Sequence, residues 1–158
     1  MSLLLAVSRI AALLLIGLYA GGVFFTVIAP SVSRMPGVAY VRYWQALNVD
    51  YGRAMPPLLL TGLAALIMVA VLSARRGWLV LGLSSAALIL VLLTVVLTLA
   101  GLEPLNRIAD GWDPEALPAD WQESRRRWLN LHLVRSVLGV TAFVCLAAAQ
   151  IFDRQVSS

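Results

Sequence analysis

GWLVLGLSSAALILVLLTVVLTLAGL, residues 77–102, runs for 26 positions without a charged side chain, and its reading decides the fold. The hydrocarbon core of a bilayer is about 30 Å thick and is crossed by roughly 20 apolar residues in helical form. Every amide in that core must be bonded within its own segment, so a run of this length is a transmembrane helix. Immediately upstream stand only Arg75 and Arg76, and before them a second uncharged run, 55–74. So short a connection makes the two helices antiparallel neighbours. Further out, the stretch 11–28 is uncharged and its apolar pattern extends back past Arg9 to Leu3, while 136–152 forms a fourth run. The expectation is an all-α, four-transmembrane-helix bundle in a single domain over 1–158, with spans near 3–29, 55–74, 77–102 and 131–152.

Composition agrees. Of 158 residues, 61% are hydrophobic and 13% charged, with mean hydropathy +0.88, whereas soluble domains lie nearer half and a quarter. The first span is no cleaved signal sequence: it lacks a basic leader, carries Gly17, Tyr19, Gly21 and Gly22 in its middle and runs on to Pro30. Gly17 and Gly21 form a GxxxG pair, which either admits a second helix at close range or reflects the frequency of glycine in membrane helices. All twelve basic residues are arginine, and the net charge of +4 is scattered among loops, which argues against a nucleic-acid partner. Cys145 stands alone, excluding an intrachain disulfide, a CxxC redox pair and a thiolate metal cluster.

The segments 30–54 and 103–130 each follow an odd-numbered span and therefore lie on one membrane face. They hold most of the charged residues, every tryptophan but Trp78, and all three asparagines. Short interfacial helices are expected within them: Tyr40, Trp44 and Asn48 recur at intervals of four, with Gln45 beside them, while Pro104 is expected to stop the third helix. Counting arginines gives no clean orientation. Arg75, Arg76 and Arg154 favour cytoplasmic termini, and Arg34, Arg42, Arg53, Arg107 and Arg125 to Arg127 lie on the other face. Arginines folded into a cap are poor topology signals, so the expected placement is a bacterial inner or plasma membrane with cytoplasmic termini.

The richest stretch chemically is 121–139. Trp121, Arg125, Trp128, His132, Arg135 and Gly139 follow one another at spacings of four and three, a single polar and aromatic face of a helix. Its lower part enters the fourth span, where an ionisable group is costly and ordinarily faces a bundle interior or wet cavity. His132 and Arg135 are thus a candidate site. The alternative is that arginine and tryptophan anchor the helix end, which is the better account of Arg126 and Arg127. Asn106 can orient a carbonyl ligand or cap a turn. A single histidine excludes a two-histidine haem clamp, HExxH and histidine-rich copper or zinc sites, and leaves only a one-histidine haem open. The loop acids match no calcium-loop spacing, there is no phosphate cradle, and no paired intramembrane carboxylates suggest a pump.

Several of these residues carry a resemblance. Gly21-Gly22-Val23-Phe24-Phe25 with a downstream proline, Trp44-Gln45-Ala46-Leu47-Asn48 and Met55-Pro56 resemble the first half of the anthrone-oxygenase-like family of small four-span membrane proteins. Pro104-Leu105-Asn106, Trp121 and the run from Arg127 to Arg135 are similar to its later motifs, so the likeness covers most of the chain. Much of that family has no assigned function. Its name comes from fungal enzymes that oxidise an anthrone to an anthraquinone without a recognised cofactor. The resemblance implies a base, a stabiliser of the enolate oxygen and a flat apolar pocket for a small hydrophobic aromatic substrate. His132 is the candidate base, with Arg135, Asn106 or Gln45 as oxyanion stabilisers. Trp44, Trp121 and Trp128 supply ring faces, and Asn48 and Arg125 further substrate contacts. The rival class is a non-catalytic module that binds membrane lipid or a partner, or a small subunit of a larger complex, associating through Gly17 and Gly21.

Overall fold

The computed structural model describes residues 3–29 and 32–156, with side chains as far as Asp153. Pro30, expected at the end of the first span, and the Arg154 side chain lie outside the described residues. Five α-helices follow in order: α1 (Leu3–Ile28), α2 (Gly37–Ser73), α3 (Trp78–Leu97), α4 (Glu103–Asp110) and α5 (Trp121–Val156). A 3-10 turn, Val32–Arg34, precedes α2, and a π-helical segment, Thr98–Leu102, joins α3 to α4. Four helices are long and apolar enough to cross a membrane, as the uncharged runs require, and the chain is a multi-pass membrane protein.

The four long helices pack in a closed ring, α1 on α2, α2 on α3, α3 on α5 and α5 back on α1. Each turns a seam of buried residues inward at alternating spacings of four and three. The seams are Ala12, Ile16, Tyr19 and Val23 on α1, Gly62, Leu66 and Val69 on α2, Ser84, Ala87, Val91 and Thr94 on α3, and Ala142, Leu146 and Ala149 on α5. Many of these are small, while Leu14, Leu18, Leu60, Ile67, Val96 and Val137 stand exposed on the outside. Lipid exerts no hydrophobic drive between helices, so close backbone approach through small side chains holds such a ring together. Gly17 serves that purpose within the chain: a Cβ there would come within 3.1 Å of the Phe143 ring on α5, whereas Gly21 faces open space.

Two boundaries differ from expectation. Among the described residues of the 30–54 segment no separate interfacial α-helix is present, because α2 continues through Pro56 and Pro57 as one helix of 37 residues. Those prolines leave the Gly52 and Arg53 carbonyls without their amide donors, and both residues are exposed, where water can serve instead. Pro104 likewise does not stop the third helix. In an α-helix its ring would crowd the Ala100 carbonyl and offer it no hydrogen. The π segment widens the preceding turn, with Glu103 N–H bonding Thr98 O five residues back, and the chain stays helical from Trp78 to Asp110.

At 1.5 Å per residue α2 is about 56 Å long, nearly twice the hydrocarbon thickness. Its first half, the first turns of α5 and all of α4 therefore stand above the apolar zone as a cap. A cluster of Val32, Tyr40, Val41, Trp44, Leu105 and Trp128 forms the core of that cap. At the opposite end, Asp153 of α5 binds Arg9 of α1 at 2.5 Å and Arg76 of the short turn at 3.0 Å, tying together both ends of the chain and the hairpin.

Candidate functional site

The α5 stripe divides into a structural half and a chamber half. Arg125 lies 4.8 Å from the Trp121 ring and 5.4 Å from the Tyr40 ring, and its Nη1 donates to Met35 O at 3.1 Å. It latches the first turn of α5 onto the start of α2. Gln45 is structural too: its Nε2 donates to the carbonyls of Ala109 and Trp112 at 2.9 and 3.0 Å, closing the end of α4. Trp121, Arg125 and Gln45 are therefore outside the chamber.

The other six expected residues meet. Trp44, Asn48, Asn106, Trp128, His132 and Arg135 line one cavity of about 40 Å³ between α2, α4 and α5, together with Leu47 and Tyr51. An indole N–H only donates, and both Trp44 Nε1 and Trp128 Nε1 point at Asn106 Oδ1, at 2.9 and 3.0 Å. That fixes the amide: its oxygen is taken by the two rings, and its NH₂ is the end left for the cavity. The Trp128 ring in turn covers His132, with centroids 3.9 Å apart.

Beneath this roof His132 and Arg135 are 4% and 7% exposed. Arg135 Nη2 lies 3.0 Å from His132 Nδ1. A guanidinium has donors and no acceptor, so Nδ1 receives this bond and the ring hydrogen sits on Nε2. Among the described residues the Arg135 Nε has no partner, and no acid lines the cavity. A buried cation without a carboxylate is costly. It makes the chamber a place where negative charge on a ligand oxygen is stabilised.

Neighbouring helices hold this arrangement from behind. Ser136 Oγ lies 2.9 Å from Val23 O and 2.8 Å from His132 O. The Tyr51 hydroxyl donates to Gly22 O at 3.0 Å, pinning α2 to α1. A Cβ at Gly139 would stand 3.4 Å from the Tyr19 ring, so α1 closes against α5 one turn below Arg135. At the mouth, Asn48 Nδ2 donates to Asp110 Oδ2 at 2.6 Å. Asp110 is thereby held at the rim.

Tyr51 and Leu47 are the lining residues that sequence reading missed. The signal was present, since Trp44, Leu47, Asn48 and Tyr51 follow the three-four spacing of a single helical face. Among the described residues, no three His, Cys, Asp or Glu side chains converge as a metal site would require.

The family model described as anthrone oxygenase matches residues 44–145, a stretch that contains all eight residues lining the cavity. Neither the curated proteins nor the solved structures give a match.

Proposed function

The chain belongs to the anthrone oxygenase family, and from that premise we propose that it oxidises the acidic methylene carbon of a planar keto-aromatic compound with dioxygen at the membrane surface. The observation that carries this reading is the buried Arg135 guanidinium, bonded to His132 and facing a cavity without a carboxylate. Removing a proton from the carbon opposite an anthrone carbonyl places negative charge on the carbonyl oxygen. Arg135 and the Asn106 NH₂ are fixed donors for that charge, worth most where water is excluded.

His132 is the base in this reading, and its resting bond gives the order of events. Its Nδ1 lone pair is engaged by Arg135 until a substrate oxygen draws the guanidinium away. The freed lone pair then takes the proton, so base and oxyanion donor are switched on together. The enolate passes electrons to dioxygen and forms a carbon–oxygen bond, and the peroxide so formed takes the proton back from His132. Loss of water from the resulting hydroperoxide leaves the quinone, with one dioxygen consumed and one water formed.

The cavity's size bears on the pose. A void needs roughly 10–15 Å³ to hold one water, so about 40 Å³ admits an oxygen-bearing edge or dioxygen and not three fused rings. The reacting carbon must come within reach of the buried His132, so entry of the rings requires the cap to open around Trp44 and Leu47. No resident cofactor is needed in this scheme, and a Soret band in the purified protein would overturn that part of it.

The test is turnover of a hydroxylated anthrone by protein in lipid nanodiscs, read as quinone absorbance and oxygen uptake over the uncatalysed rate. His132→Ala should lose about 10²–10⁴-fold, the usual contribution of a positioned base. Arg135→Gln should fall comparably. Wild-type protein no faster than the buffer, or a His132→Ala variant as fast as wild type, would refute the reading.

A further inference from the structure

Outside the chamber, two adjoining shallow depressions lie one below the other on the exposed side of α5 and together make a groove. Its upper part, about 460 Å³, is lined by Glu123, Arg126, Arg127, Asn130, Leu131 and Val134. Its lower part, about 380 Å³, lies between Leu138 and the α3 and π-helical residues Leu93, Val96, Ala100 and Gly101. The two adjoin at Leu131, whose side chain packs over Gly101, where a Cβ would come within 3.3 Å of it. Leu131 also packs into the cap core and walls the groove off from the chamber.

The order of chemistry along the groove is that of a phospholipid read from water inward. Glu123 comes first, then Arg126 and Arg127, then the Asn130 amide, then only apolar side chains. Asn130 to Leu138 spans about 12 Å and Glu123 to Asn130 about 10 Å at 1.5 Å per residue. One leaflet offers about 15 Å of hydrocarbon beneath a headgroup layer of about 5–7 Å, so the polar and apolar lengths fall in the right places. Glu123 stands three and four residues before Arg126 and Arg127, the spacing at which helical ion pairs form, yet among the described residues none of the three makes an ion pair. All three charges face the same opening.

We propose that this groove is a binding site for one phosphatidylethanolamine molecule, its phosphate on Arg126 and Arg127, its ammonium on Glu123 and one acyl chain on the track past Gly101 and Leu138. Charge complementarity selects the headgroup. Phosphatidylglycerol supplies the phosphate but no cation for Glu123. Phosphatidylcholine supplies a cation that has no N–H to donate to the carboxylate. The site is independent of the oxidation chemistry and stands whether or not the chamber turns over an anthrone.

Native mass spectrometry of the full chain in mild detergent, with equimolar dioleoyl phosphatidylethanolamine, phosphatidylglycerol and phosphatidylcholine, tests it. One retained phosphatidylethanolamine, at about tenfold over either competitor, is expected. Glu123→Gln should abolish that preference while retaining phosphatidylglycerol, and the double substitution Arg126→Gln with Arg127→Gln should reduce retention of all three. All these residues are exposed, and unchanged circular dichroism and gel-filtration profiles establish that the variants fold. Equal retention of the three lipids, a preference for phosphatidylglycerol in the wild type, or a double variant that behaves as wild type would overturn the proposal.

Discussion

Replacing Asn106 separates what holds the chamber's roof from what works inside it. In Asn106→Leu the side chain keeps its bulk but loses the oxygen that receives both indole hydrogens, at 2.9 and 3.0 Å. Trp44 and Trp128 are 0% and 2% exposed, so water cannot replace that acceptor without opening the cap. A buried donor left unsatisfied costs about 1–3 kcal/mol, and two of them about 2–5 kcal/mol after some relaxation. Asn106→Asp keeps an oxygen for the two rings and should unfold within about 1 kcal/mol of wild type, but it sets a carboxylate where Arg135 should meet an oxyanion. Its oxidation rate should therefore fall to the uncatalysed level while its stability holds. Unfolding in mixed micelles by denaturant, followed by tryptophan emission, gives the stability of each variant, and quinone formation gives the rate. An Asn106→Leu protein within 0.5 kcal/mol of wild type would show that the shared oxygen does not hold the roof, and the argument for a fixed amide orientation would go with it.

At the other end of the ring, Asp153→Asn leaves Arg9 and Arg76 without the carboxylate they share; breaking a buried pair costs about 3–5 kcal/mol, and the thermal aggregation temperature in detergent should drop accordingly. Gly17→Leu and Gly21→Leu should diverge: the first forces the Phe143 ring aside and loses about 1–3 kcal/mol, while the second enters open space and stays within about 0.5 kcal/mol of wild type by the same thermal measurement.

The membrane fold was legible because the bilayer imposes one pattern, long uncharged helices, and residues 55–74, 77–102 and 136–152 display it without ambiguity. What was harder to read lay where the solvent changes. Pro56, Pro57 and Pro104 are stop signals in water, where a helix gains little by continuing past a lost bond. Here α2 continues because its exposed carbonyls have water and its cap half has Trp128 and Leu105 to pack against, and α3 continues because one π turn absorbs the ring. Six of the nine expected site residues meet in the chamber, since three-four periodicity identifies a helical face wherever the helix goes. Gln45, Trp121 and Arg125 sit on or near the same faces but lie beyond the end of the cavity, and spacing alone cannot tell how deep a cavity reaches. Tyr51 was passed over for the same reason in reverse: reading the helix as short hid the fact that the Trp44 face extends a further turn.

The placement of charge along the helices also limits what the site can be. His132 and Arg135 stand near the top of the apolar zone and Asp153 with Arg9 and Arg76 at its bottom. Between them the ring is closed by Ala142, Leu146, Ala12, Ile16, Leu66 and Val91, all fully buried. Among the described residues, no carboxylate or imidazole is buried along that stretch, so no relay of such groups hands a proton from one face to the other. In the proposed reaction the proton that His132 takes up returns to the peroxide and departs in the product water, through the mouth by which the substrate enters, past Asn48 and the Asp110 carboxylate bonded to it. The chamber thus resets toward water on its own side, and the apolar floor beneath it confines the chemistry to one face of the membrane.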